Sequence, residues 1–174
     1  MRKGWSLVAA LWVAAVLVPA GVANVNGKER VLVESFTESY AFAVDCGDFG
    51  PYAFENEVEG SARVRVTDVL DRDGAPLQTV FHIVLQETDT SSMSGRSLPL
   101  RTAIHEVWDY ASNTRTLSGA VFVGTEPGAG TYVQDTGRIT MALDTRVAQF
   151  VAGPHEAFFA GGIDPVVCAA LAGE

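Results

Sequence analysis

Two histidines and one glutamate are the side chains best placed to do chemistry. If the segments around them form a hairpin turning at Met93 and Ser94, His82 faces His105, Val80 faces Val107 and Val84 faces Ala103. Directly opposed strand residues have Cβ atoms about 5 Å apart, close enough for two imidazoles to share a proton or a metal ion. That face offers no third ligand, since Asp109 and Gln78 stand two rungs away, so no metal site is expected. A solvent-facing or structural pair is the simpler reading. The other face pairs Phe81 with Glu106, Ile83 with Ile104 and Thr79 with Trp108. A carboxyl buried among Phe81, Ile83, Ile104 and Trp108 would have a raised pKa and suit a general acid or base. Its simpler reading is a rim residue with the carboxylate in water. Glu106, His82 and His105 are therefore the catalytic candidates, and Phe81, Ile83, Ile104 and Trp108 the candidate ligand-binding residues.

Other short motifs carry less. Asp135-Thr136-Gly137 has the letters of an aspartic-protease motif, but Gln134 and Arg138 flank it where that family places apolar and small residues. A strand bend at Gly137 accounts for it. Asp71 and Asp73 before Gly74 lack the further acids of a calcium loop and read as a turn. A strand, not a helix, follows Gly128-Ala129-Gly130, so that loop is not a phosphate cradle. Glu55, Glu57, Glu59, Arg63 and Arg65 alternate along one segment and predict a wet outer face. His155, after Pro154, reads as a surface loop residue. No cofactor is expected, because no cofactor-binding motif is present.

The elements that would position these residues are strands. Period-two alternation predicts strands over 31–44, 54–70, 77–88, 98–108, 117–123, 132–143 and 147–151. Gly60 would make them eight by splitting the second. The connections are short, so neighbours in sequence should pair antiparallel, and no helix separates strands as βαβ folds require. The one helical signal is terminal, with Asp164 as N-cap and Pro165 opening a helix over 166–172. Together these predict an all-β fold, an antiparallel up-and-down barrel of seven or eight strands with a short C-terminal helix. Closure is expected because it removes both edges of the sheet. Strands 77–88 and 98–108 are apolar on both faces, which predicts a barrel interior on one side and a helix, a loop or a second copy of the chain on the other.

Residues 1–23 read as a secretory signal, with a charged start at Arg2 and Lys3, an apolar stretch, and Gly21-Val22-Ala23 before a cleavage site. A single domain over 24–174 follows, and export makes the chain extracellular. The stretch is short for a membrane span, so no stable membrane association is expected after cleavage. Cys46 and Cys168 are the two cysteines. An even pair in an exported chain predicts one disulfide, worth about 4–5 kcal/mol for so long a loop.

Composition narrows the partners. With 48% hydrophobic and 19% charged residues over 174, the chain can pack a core. It carries 21 Asp+Glu against 12 Lys+Arg and a net charge of −9, which argues against nucleic acid as a partner.

The order of features resembles a group of secreted bacterial β-barrel proteins without an assigned activity. The features are Cys46-Gly47, the hairpins, the Asp135-x-Gly137-Arg138 strand, Ala152-Gly153-Pro154-His155 and the tail from Cys168 to Leu171. At fold level the architecture is similar to the small barrels of allene oxide cyclases and dirigent proteins. That likeness implies an apolar barrel cavity; no catalytic residue of those families matches a position here, and fold alone is a weak warrant for activity. The expectation is a noncatalytic secreted barrel that binds a small apolar ligand or a partner. A cyclase-like isomerase is the alternative, and a structural cell-surface protein a third.

Overall fold

The structure is a computed structural model that describes residues 23–25, 28–126, 128–159 and 162–173. Nearly all of the segment read as a secretory signal, residues 1–23, therefore lies outside the described residues. Eight strands form one sheet in sequence order, every neighbouring pair antiparallel. They are β1 (Ala23–Val25), β2 (Lys28–Asp45), β3 (Glu55–Leu70), β4 (Pro76–Ser91), β5 (Ser97–Asp109), β6 (Thr114–Glu126), β7 (Gly130–Ala142) and β8 (Ala148–Ala152). A 3-10 turn, Cys46–Asp48, follows β2, and two helices, α1 (Glu156–Phe159) and α2 (Asp164–Ala172), close the chain.

The alternating pattern produces this order directly. Successive side chains point to opposite faces, so a segment such as Asn56, Val58, Ala62 and Val64 in β3 buries one face while Glu55, Glu57, Glu59, Arg63 and Arg65 stay exposed on the other. The expected wet outer face is thus present. The 71–74 turn also forms: Asp71 Oδ1 accepts the amide protons of Asp73 at 2.9 Å and Ala75 at 2.8 Å.

Three details differ from the sequence expectation. The sheet does not close, because its hydrogen-bonded order runs from β1 to β8 without a ladder between first and last strands. The short β1 occupies the edge of β2 at Lys28–Arg30, and β8 pairs only with Arg138 to Met141 of β7 before the chain turns away. Gly60 does not split β3, which continues through it, paired with Tyr40 and Glu87. A Cβ there would stand 2.8 Å from Cζ and Oη of Tyr40, so the missing side chain makes room for that ring. Asp164 is the first helical residue of α2, not its cap; the cap is Ile163, without a side-chain hydrogen bond.

Gly137 does mark a special backbone position. Its φ is +129°, and a Cβ would fall 2.1 Å from the carbonyl oxygen of Ala152. Only glycine lets β7 and the end of β8 approach that closely.

The inward face of the sheet is covered unevenly. Val167, Cys168, Ala170 and Leu171 of α2 pack on Cys46, Phe54 and Leu98. Ala157 of α1 packs on Leu100 and Val133, and Phe158 lies against Leu117, Ile139 and Met141. α1 thus lies toward β5, β6 and β7, and α2 over the turn after β2 and the adjoining ends of β4 and β5. The inward side chains of β2 stay half-buried, and none joins those clusters. The disulfide Cys46–Cys168, with Cα atoms 5.6 Å apart, fastens α2 to the turn after β2, as the cysteine pair predicted.

Candidate functional site

The β4–β5 hairpin forms in the expected register: His82 pairs with His105, Phe81 with Glu106, Ile83 with Ile104 and Thr79 with Trp108. The two faces therefore carry different chemistry. Phe81, Ile83, Ile104 and Trp108 point inward and are half-buried, with the Phe81 and Trp108 rings 5.1 Å apart. They form an apolar floor on the inward face, where Ile104 packs against the Leu117, Ile139 and Met141 cluster that Phe158 also meets, and the other three join none of the buried clusters. His82 and His105 are exposed on the outer face, ring centroids 4.7 Å apart, where a molecule on the apolar floor cannot meet them.

Glu106 is not a rim residue. It is 5% exposed, and its Oε1 accepts from Arg115 Nε at 2.5 Å and from the indole N–H of Trp108. Arg115 arrives from β6, opposite Trp108. The pairing sets a guanidinium against the buried Glu106 side chain, a different condition from a lone buried acid.

At the α2 end of the same face lies a group of acids. Tyr40, Glu87, Asp89 and Asn56 come from β2, β4 and β3, Tyr132 from β7, and Asp164 from the start of α2. Asp89 is 3% exposed; its Oδ1 accepts from Asn56 Nδ2 at 2.7 Å. Asp89 Oδ2 and Asn56 Oδ1 are buried without a hydrogen-bond partner among the described residues. Burial pushes the Asp89 carboxyl above its usual range, against the pull of Asn56, and Asp164 adds to the rise. Burial, then Asp89, does the same to Glu87, whose hydrogen bond to Tyr40 opposes it. Burial alone raises Asp164. The hydroxyls of Tyr40 and Tyr132 sit well above the usual phenol range, first through burial and then through these carboxyls. A recess of about 620 Å³ around Gly60 is lined mostly from the other, outer face, by Ser39, Ala41, Glu59, Ser61, Gln86 and Thr88. Among the described residues no three His, Cys, Asp or Glu side chains come close enough together to hold a metal ion.

A pH effect follows from Asp89. A carboxyl whose folded pKa is raised contributes stability below the ordinary range near pH 4, and that contribution is lost as pH rises through the folded value. At neutral pH the buried charge and its unpartnered oxygen are a cost. Asp89→Asn keeps the shape, removes the charge and places an amide donor beside Asn56. It is expected to raise neutral-pH stability by about 1–3 kcal/mol and flatten the melting temperature between about pH 4 and 7. Thermal scans of both proteins across that range check this; a variant less stable than the parent at pH 7 would refute it.

The structure also brings together a pair that sequence reasoning missed. His155 is 4% exposed, not on the surface, and its Nδ1 lies 2.5 Å from Oδ1 of Asp135, which is 0% exposed. Nε2 lies 3.2 Å from the Ala152 carbonyl oxygen, and Asp135 Oδ2 accepts the Phe158 amide at 2.8 Å. Asp135 therefore pins α1 to β7, and among the described residues no nucleophile is hydrogen-bonded to either member of the pair. A signal was available for the acids: Glu87 and Asp89 share Phe81's parity along β4, which places them inward. No comparable signal marked His155.

No family model, no curated protein and no solved structure matches this chain.

Proposed function

We propose that this protein is an exported, noncatalytic sheet that holds a small apolar molecule on its inward face. The observation that carries this reading is the half-buried row Phe81, Ile83, Ile104 and Trp108, of which Ile104 alone joins a cluster that a helix residue also packs against. Small-molecule sites are mostly apolar, with a few polar groups to orient the ligand. Here the Glu106–Arg115 pair stands within the row, Glu106 between Ile104 and Trp108, and the Glu87–Asp89 group lies farther along β4 beyond Ile83. The disulfide supports export, since such bonds persist in oxidising compartments. No helix among the described residues is long and apolar enough to cross a membrane.

A cyclase-like isomerase is a second reading. The raised carboxyls of Glu87 and Asp89 favour it, because perturbed acids beside an apolar surface suit proton transfer. Association of copies through β8 would fit the exposed Phe150 and Val151 on that edge strand.

Native mass spectrometry of protein purified from its host tests the binding reading. The expected result is a co-purifying small apolar species that is lost from a folded Ile83→Ser/Ile104→Ser variant. Bare protein mass, together with no uptake of a fluorescent apolar probe, would overturn it. Turnover of the bound species, abolished in Glu87→Gln, would move the assignment to the isomerase.

A further inference from the structure

The outer face has an order of its own. Cross-strand pairing sets Ser35, Arg65, His82, His105, Ser118 and Arg138 in one continuous row from β2 to β7. The next row carries Arg63 opposite Val84, and the row after that carries Arg101 opposite Gln86. No carboxylate stands in these three rows, although the chain as a whole carries 21 acids and a net charge of −9. Among the described residues the arginines in ion pairs are Arg96 and Arg115. Arg63, Arg65 and Arg101 are exposed without a carboxylate partner, and Arg138 lies 5.8 Å over the Phe150 ring. Four arginines of an acidic protein thus share one band.

We propose that this band, Arg63, Arg65, Arg101 and Arg138 around the His82–His105 pair, binds an acidic polysaccharide, and binds it more tightly in mildly acid solution. The row runs across the strands, about 4.8 Å per step, so Arg65 and Arg138 stand roughly 19 Å apart. Sheet twist of about 20–25° per strand turns its ends by roughly 80–100°. A planar lipid surface meets only part of such a row, whereas a flexible chain can follow it. Single-stranded nucleic acid binds through bases stacked on aromatic rings. No Phe, Tyr or Trp pairs with or lies diagonally beside the two histidines on this face. Carboxylate or sulfate groups on a sugar chain need only the cations.

The pH dependence comes from the histidines. His82 faces Arg65 on β3, with Arg63 diagonal to it, and His105 on β5; Arg30 of β2 also acts on it. Burial, then His105, Arg65 and Arg30, hold His82 below the ordinary imidazole range. His105 faces His82 on β4 and the uncharged Ser118 on β6, and Arg101 and Asp109 lie four residues to either side along β5. Glu57 and Glu59 share the outer face farther along β3. A bound anion offsets the neighbouring positive charge that holds His82 down, so by linkage protonation of His82 tightens binding.

The test uses the full exported chain with heparin and polygalacturonate as probes, at about pH 7.5 and 5.5, where imidazoles change charge. Binding should tighten about tenfold on acidification, the sum expected for two exposed ion pairs. His82→Gln/His105→Gln should remove most of that pH ratio while leaving neutral-pH binding in place, which separates the histidines from the general loss of negative charge. Arg63→Ser/Arg65→Ser should weaken binding at both pH values and reduce its salt dependence. All four substitutions lie on the solvent face, so folding serves as the control. Three results would each overturn the proposal: equal binding to neutral dextran, a pH ratio unchanged in the histidine variant, or tighter binding to anionic vesicles or single-stranded DNA than to either probe.

Discussion

An Asp135→Ala variant is expected to melt roughly 6–20 °C below the parent, the equivalent of about 3–5 kcal/mol in a domain of this size. Asp135 and His155 are both almost fully buried, and the carboxylate serves two donors, the imidazole at 2.5 Å and the Phe158 amide at 2.8 Å. Truncating the acid leaves His155 without its partner and the first turn of α1 without its anchor. Phe158 would then lose its hold against Leu117, Ile139 and Met141. The cost is that of stranding buried polar groups, not the net worth of the pair. An Asp135→Leu/His155→Leu double variant should therefore lose less than Asp135→Ala. Differential scanning calorimetry of the three proteins decides it: a drop under roughly 2 °C for Asp135→Ala would mean that the pair clamps nothing.

The second large effect concerns the disulfide. Cys46 and Cys168 lie 122 residues apart in sequence, so the bond closes most of the described chain. Chain entropy puts its contribution at about 4–5 kcal/mol, at the upper end because strain is ignored. Its removal also frees α2, whose Val167 and Leu171 cover Phe54 and Leu98. Cys46→Ala/Cys168→Ala should melt well below the parent and be insensitive to reductant, while the parent should fall toward the variant's midpoint when reduced. Equal midpoints for reduced and oxidised parent would show that α2 stays in place without the bond.

Much of the fold was legible because its information is local. Alternation along 77–88 and 98–108, with turn residues between, was enough to predict the register that sets His82 opposite His105 and Phe81 opposite Glu106. The same parity assigned the outer face of β3. The acids of the candidate site were legible in principle, since Asp89 lies on Phe81's side of β4. Their burial was not, because it depends on α2 lying over that end of the sheet.

The chain alone determined the seven strands β2 to β8, their antiparallel order, the terminal helix and the cysteine bond, because each follows from neighbours in sequence or from having only one possible partner. Tertiary structure decided the open sheet, the partners of Glu106 and the burial of His155. Those outcomes depend on groups from separate elements meeting: β1 on the edge of β2, Arg115 of β6 beside Glu106, and Asp135 of β7 under α1. Side-chain periodicity tells a residue which face it takes; it carries no information about what will cover that face.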